Sequence, residues 1–265
     1  MSVERLTSAQ NPRIKELILL GSKARERRAA GLFVAEGVRE CVRAIEAGIR
    51  VRTLFCCPEY LKDPSAEAVI NGCRARRYDL SPALYDHVAY RGGVEGVIAI
   101  MHDPLRSLDS LTTGDNPLIL VVEGIEKPGN VGAMLRTADA AGVDAVLVCD
   151  PLCDLYNPNL IRASLGAVFT VPVATCSSQE AADWLRAGGI RILTAQLQDS
   201  LPYYDTDMRC GTALVMGTED RGLTDFWRER ADAHIRIPMA GVMDSLNVSV
   251  SAAILCFEAV RQRRG

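Results

Sequence analysis

Near the middle of the chain, Pro117-Leu118-Ile119-Leu120-Val121-Val122 runs for six residues without a polar side chain. A strand that is apolar on both faces has to be covered on both faces, which restricts it to a sheet lying between helices. Shorter apolar runs follow at 144–148, 169–173, 190–194, 213–216 and 234–237, each separated from the next by a helix-sized stretch or a long loop. This alternation specifies an α/β fold with a mainly parallel sheet. Upstream, 32–35, 51–56 and 96–100 read as strands, and 38–47 as a helix that stops before Gly48. The two series are separated by a polar stretch rich in Pro, Gly, Ser and Asp, HDPLRSLDSLTTGDN. The expected organisation is a domain over 1–102, a linker over 103–116 and a second domain over 117–265.

The net charge of −3 argues against a strong nucleic-acid binder, but the charge is uneven. Residues 1–100 carry 16 Lys and Arg against 12 Asp and Glu, a net of +4, whereas the remainder carries 14 against 21, a net of −7. The runs Lys23-Ala24-Arg25-Glu26-Arg27-Arg28 and Arg74-Ala75-Arg76-Arg77 are basic patches suited to phosphate contact, or else solvated faces. The nine cysteines are odd in number and lack metal-site spacing, the N-terminus has no apolar signal segment, and no apolar run reaches bilayer length. The expectation is a cytoplasmic protein in a reducing compartment, with no membrane span and no metal.

Three loops that follow apolar strands hold polar residues: Glu126-Lys127-Pro128-Gly129-Asn130-Val131-Gly132, Gly217-Thr218-Glu219-Asp220-Arg221-Gly222, and the stretch 238–247. In an open α/β sheet, ligands bind beyond the carboxyl ends of the strands, so these loops mark a site. The third runs into Ser245-Leu246-Asn247-Val248-Ser249-Val250-Ser251, which fits an N-glycosylation sequon, an alternating strand or the start of a helix. The missing secretory signal disfavours the first. The unbroken apolar pattern through Ala252, Ala253, Ile254, Leu255 and Phe257 favours a helix from about 247 to 261, with Ser245 and Asn247 at its start. No GxGxxG or GxxxxGK[ST] loop is present, and none of the three histidines lies in the loops, which disfavours dinucleotide, triphosphate and His-based chemistries.

Residues 127–138, KPGNVGAMLRTA, resemble the first motif of the SpoU/TrmH family of RNA 2′-O-ribose methyltransferases, of the SPOUT superfamily. Residues 214–223, LVMGTEDRGL, resemble its second motif, and IPMAG at 237–241 with SLNVS at 245–249 its third. LYNPN at 155–159 and RASLGA at 162–167 are also similar to the family, and the likeness spans roughly 117–262. TSAQNP at 7–12 and FVAEG at 33–37 resemble the ribosomal-protein-like substrate-binding domain that many members carry. Lys127 departs from the pattern, since many members have an acidic or amide residue there.

The resemblance implies a trefoil-knotted C-terminal SPOUT domain, S-adenosyl-L-methionine as methyl donor, and a homodimer. A knot follows from no sequence rule, and true knots are rare. It also implies roles. Arg136 is the main catalytic candidate, binding a phosphate and stabilising the forming alkoxide rather than acting as base, because a guanidinium scarcely deprotonates. Glu219 orients Arg136 or Asn130, or accepts the proton. Asn130 and Asn247, being amides, hold geometry. Gly217, Ile237, Met239 and Leu246 line the cofactor slot, and Arg162 contacts RNA. The accessory domain fits an rRNA substrate better than tRNA. The competing readings are a non-catalytic RNA-binding protein on this fold and a small-molecule enzyme on an α/β scaffold.

Overall fold

The computed structural model describes residues 3–90, 95–104 and 106–264. In chain order the first elements are β1 (Glu4–Leu6), α1 (Pro12–Ser22), α2 (Ala24–Ala30), β2 (Leu32–Glu36), α3 (Val38–Glu46), β3 (Val51–Cys56), α4 (Pro64–Gly72), β4 (Arg76–Leu80), α5 (Pro82–Val88) and β5 (Val97–His102). Then come β6 (Leu118–Glu123), α6 (Pro128–Ala141), β7 (Ala145–Cys149), α7 (Pro158–Ala163), α8 (Ala167–Thr170), β8 (Val173–Cys176), α9 (Ser178–Ala187) and β9 (Arg191–Ala195). The last are β10 (Leu201–Pro202), β11 (Thr212–Met216), α10 (Asp225–Arg230), β12 (Ala233–Arg236) and α11 (Val248–Arg264). They fall into two compact units, Met1–Leu105 with Asp154–Thr170, and Arg106–Cys153 with Val171–Gly265.

The first unit is built on a five-stranded mixed sheet in the order β1-β4-β3-β5-β2, in which β5 runs antiparallel to both β3 and β2. Helices α1, α4 and α5 begin alike. Asn11, Asp63 and Ser81 each accept a backbone N–H of the first turn, and a Pro follows where no N–H is needed. Ile14, Phe55, Leu80, Tyr85 and Ile100 are fully buried in the core that α1 and α5 cover.

Residues 154–170, within the span expected for the second domain, pack in this first unit. Phe33 of β2 stacks on Tyr156 at 4.3 Å and on Phe169 at 5.6 Å between ring centroids. The strand expected at 169–173 does not form. Phe169 belongs to α8, set up by two left-handed residues, Leu165 and Gly166, and β8 starts only after Pro172. Pro172 has no N–H to donate to a ladder, so it sits before the strand.

The two basic runs are only partly free. Arg27 is 4 % exposed; its Nε and Nη2 both lie 2.7 Å from Asp154 Oδ2, and Nη1 donates to Leu20 O. Arg76 and Arg77 lie in β4, Arg76 over the Tyr78 ring and Arg77 bonded to Asp79 and Asn71. Lys23, Arg25 and Arg28 remain exposed.

The second unit carries a seven-stranded, wholly parallel sheet in the order β10-β12-β9-β11-β6-β7-β8. Ile119, Val121, Leu147, Ile192, Val215 and Trp227 lie in its core, and α6 packs against α11. Part of the expected linker belongs to this unit, since Leu108 and Leu111 pack on that core; Leu105 lies outside the described residues. Among the described residues no helix is long and apolar enough to cross a membrane. After β6 the chain adds β7 and β8 on one side and later strands on the other, so the β6/β11 boundary is where strand order reverses. That boundary is the expected ligand crevice of an open parallel sheet.

Two outcomes test this description. Asp154→Asn leaves Arg27 as a buried charge without its counter-ion and is expected to cost about 3 kcal/mol in urea unfolding. Burial pushes the Glu36 carboxyl up to about 7. Its contribution is therefore full while the unfolded chain is still protonated and is lost as pH rises through 7. Glu36→Gln is expected to raise stability by about 1–2 kcal/mol at pH 8 and hardly at all at pH 5, in paired thermal melts.

Candidate active site

Residue Glu123 ends β6 with its side chain turned inward, 5 % exposed. It accepts hydrogen bonds from Thr224 N at 3.0 Å and Thr224 Oγ1 at 2.6 Å, tying the β6 end to the loop that leaves β11. That loop starts at Gly217, and Thr218 and Gly222 pair back to back across it. A Cβ on Gly217 would lie 2.4 Å from the Gly222 carbonyl and 2.5 Å from Leu223 N. Both obstacles are backbone, so this position admits only glycine unless the loop opens.

The loop aims Glu219 at two other segments. Its Oε1 accepts Asn130 Nδ2, at 2.9 Å from the first turn of α6, and Asn247 Nδ2 at 2.5 Å. Its Oε2 accepts Lys127 Nζ. Asn247 Nδ2 also lies 3.3 Å from Asn130 Oδ1. The three loops singled out in the sequence thus converge on one carboxylate. The Lys127 ammonium holds that carboxyl below its ordinary range, helped by Asn130, so Glu219 is ionised at neutral pH.

Asn247 has a second task. Its Oδ1 accepts Ser249 N at 3.0 Å and Ser249 Oγ at 2.6 Å, which caps α11. Ser245, expected to share the start of that helix, instead donates to Asp244. The Val/Ser alternation is the first turn of α11 and makes no strand.

Beside the cluster lies a cavity of about 300 Å³ lined by Gly217, Glu219, Ile237, Met239 and Leu246, among others. All four residues expected to line the cofactor slot therefore meet at one cavity. Gln196 also lines it, and its buried Oε1 has no hydrogen-bond partner. Apolar side chains at Ile237, Met239 and Leu246 among charged neighbours, a backbone cradle at Gly217 and an unsatisfied buried acceptor suit a ligand with a flat ring and N–H donors, as the adenine and amino groups of S-adenosylmethionine provide.

Arg136 stands apart from the cluster. It is exposed on α6, with no hydrogen-bond or ion-pair partner among the described residues, and Glu219 makes no bond to it. Arg162 lies on α7 in the first unit and lines a different cavity. Sequence reasoning missed three contributors: Lys127 as a partner of Glu219, Glu123 as the loop anchor, and Gln196. Lys127 stood inside the first motif, and only its distance of 92 residues from Glu219 concealed the pairing. Among the described residues no group of three or more His, Cys, Asp or Glu could hold a metal.

Gly217→Ala is expected to weaken S-adenosylmethionine binding at least about tenfold by calorimetry, because the added methyl meets backbone on both sides. Unchanged affinity would mean that the loop yields at little cost.

The model of the SpoU rRNA Methylase family matches residues 117–257, and that of an MRM3-like substrate binding domain matches 11–99. A 23S rRNA (uridine(2479)-2′-O)-methyltransferase of Streptomyces viridochromogenes is 31 % identical over 99 % of this chain and 93 % of its own length. A 23S rRNA (guanosine(2553)-2′-O)-methyltransferase of Bacillus subtilis is 29 % identical over 96 % of this chain and 98 % of its own. The crystal structure of the SpoU methyltransferase AviRb from Streptomyces viridochromogenes in complex with AdoMet superposes with a TM-score of 0.89, at 30 % identity, over 97 % of this chain and 99 % of that one. With matching sequence motifs, a matching fold and a converged three-loop site, the chain belongs to the SpoU rRNA methylase family.

Proposed function

We propose that this protein transfers the methyl group of S-adenosylmethionine to a ribose 2′-hydroxyl of 23S rRNA. The observation that carries the reading is the convergence of Lys127, Asn130, Glu219 and Asn247 beside the cavity at Gly217. The relatives named above act on 23S rRNA by name, and this chain spans nearly their whole length.

When bound, S-adenosylmethionine supplies a methyl group already activated by positive charge. The protein's work is then to align an oxygen with that carbon and to let a proton leave. Gly217, Ile237, Met239 and Leu246 hold the donor, largely through shape. Asn130 and Asn247, fixed by Glu219, position the hydroxyl. Glu219, ionised at neutral pH and bonded to both amides, is the acceptor assigned to the departing proton. Arg136, with its five donors uncommitted, binds a phosphate of the strand and steadies negative charge on the attacking oxygen. Arg162 serves as a further RNA contact.

The assembly we infer is a homodimer. The support is α11, which buries Val248, Ala252, Leu255 and Ala259 while leaving Val250 and Phe257 each nearly half exposed with Ile254 between them. An apolar stripe of this kind on a helix is a surface to be covered. A trefoil knot belongs to the same proposal, supported by the family match over 117–257. The nine free thiols accord with action in a reducing cytoplasm.

Arg136→Ala is expected to lower incorporation of tritiated methyl into 23S rRNA by at least about a hundredfold while leaving S-adenosylmethionine affinity within about twofold. Lost affinity with retained turnover would overturn the assignment of Arg136 to the RNA side of the reaction.

A further inference from the structure

A cavity of about 610 Å³ lies in the first unit, and none of the three methyl-transfer loops lines it. Its walls are apolar where Leu17, Val34, Val88 and Ile98 face it, and its polar lining combines Glu36, Glu40 and Glu95 with Arg39, His87 and Arg162. Glu36 comes from the FVAEG motif, to which the proposed reaction assigns no part.

Glu36 Oε2 accepts Tyr90 N at 2.6 Å, and Glu95 Oε2 accepts Val38 N at 2.8 Å. Glu40 is 6 % exposed, and no other described residue donates a hydrogen bond or makes an ion pair to it. A carboxylate has room for about four donors, and among the described residues Glu40 accepts only its own backbone N–H, so its remaining lone pairs are open to a ligand. The carboxylates are close enough to disturb one another: burial raises both Glu36 and Glu40, with Glu95 adding to each. Gly37 lies between Glu40 Oε2 and Glu95 Oε2, and both oxygens would crowd a Cβ there. A metal is not the natural occupant, since no such group among the described residues could hold one.

We propose that this cavity binds guanine, as the base of a nucleotide. The apolar walls suit a flat ring. Guanine is the common base with two adjacent N–H groups, N1–H and the 2-amino group, on one edge, and these match one carboxylate in a paired fashion. Glu40 takes that edge. Arg39 and Arg162, which also line the cavity, offer cations to the phosphate. Two sources share this chemistry, an unpaired guanine in the RNA strand and a free guanine nucleotide. The first rests on the RNA substrate proposed above.

The test uses the full-length protein and calorimetric titration with GMP, IMP, AMP and UMP, then with a ten-nucleotide oligouridine carrying one central guanosine or one inosine. GMP is expected to bind at least about tenfold more tightly than IMP, which lacks only the 2-amino group, and AMP and UMP still more weakly. Glu40→Gln is expected to erase the preference for GMP over IMP while leaving S-adenosylmethionine affinity unchanged. If the guanosine oligomer outbinds both its inosine counterpart and GMP, the source is RNA; if GMP binds and the oligomer does not, it is the free nucleotide. Equal binding of all four nucleotides, no binding of GMP at 10 mM, or occupancy by spermidine or Mg²⁺ without nucleotide preference overturns the proposal. Should Glu40→Gln misfold, the GMP-to-IMP ratio of the unaltered protein still decides. Failure of methyl transfer to 23S rRNA with the guanine preference intact sinks the enzymatic reading alone. The converse sinks only this pocket.

Discussion

The carboxylate of Glu219 is the point on which the second unit's chemistry depends. It accepts from Lys127 and Asn130 of one loop and from Asn247 of another, so that with its own loop three segments far apart in the chain meet there. Energetically the cluster is modest, because Lys127 is largely in water and an exposed ion pair contributes little. Its importance is geometric. Each amide has one orientation that satisfies Glu219 and leaves its oxygen for another task, and Asn247 uses that oxygen to start α11. Removing the carboxylate therefore disturbs a helix start, a loop and two positioning groups together, which is more than the sum of three weak bonds.

That arrangement needs a rigid base, and the parallel sheet supplies it. β6 and β11 are adjacent and fully buried, so the loops leaving them start from fixed positions. Glu123 then draws the start of α10 to the end of β6, and the close pairing of Thr218 with Gly222 narrows the turn until only glycine fits at 217. The cavity beside Gly217 is thus a consequence of backbone packing. It holds its shape without any side chain having to close over it.

The sequence made part of this legible. Buried parallel strands declare themselves as apolar runs, and β6, β7, β9 and β11 lie close to where those runs predict them. Short or charged strands do not: β1 has three residues, and β4 reads Arg-Arg-Tyr-Asp-Leu, which resembles a basic patch until its sheet partners are known. The run at 169–173 misled because apolar character alone does not separate a helical turn from a strand, and Pro172 decided the matter locally. Arg27 shows the limit more sharply. Nothing near it in sequence distinguishes it from Arg25 or Arg28, yet it is buried because its partner, Asp154, lies 127 residues away. In the site, the three loops and the four residues at the cavity followed from strand ends and from family resemblance. The hub role of Glu219 did not, because it arises only when loops from distant parts of the chain meet.

On the proposed reaction, the electrostatics of the cluster bear on when the proton leaves. Lys127 holds Glu219 below the ordinary carboxylate range, which makes it a weaker base than an isolated glutamate. A ribose hydroxyl is far too weak an acid to be deprotonated beforehand by such a group, and Arg136 cannot serve, since its guanidinium stays charged. Proton loss must then accompany or follow formation of the oxygen–carbon bond, when the hydroxyl oxygen becomes strongly acidic and even a weak carboxylate base suffices. Catalysis in that regime comes chiefly from alignment, with the rigid hydrogen bonds of Asn130 and Asn247 setting the approach of the oxygen. The departure at Lys127 is compatible with this regime, because a site that relies on alignment loses little by weakening its base and gains a fixed position for the carboxylate that organises it.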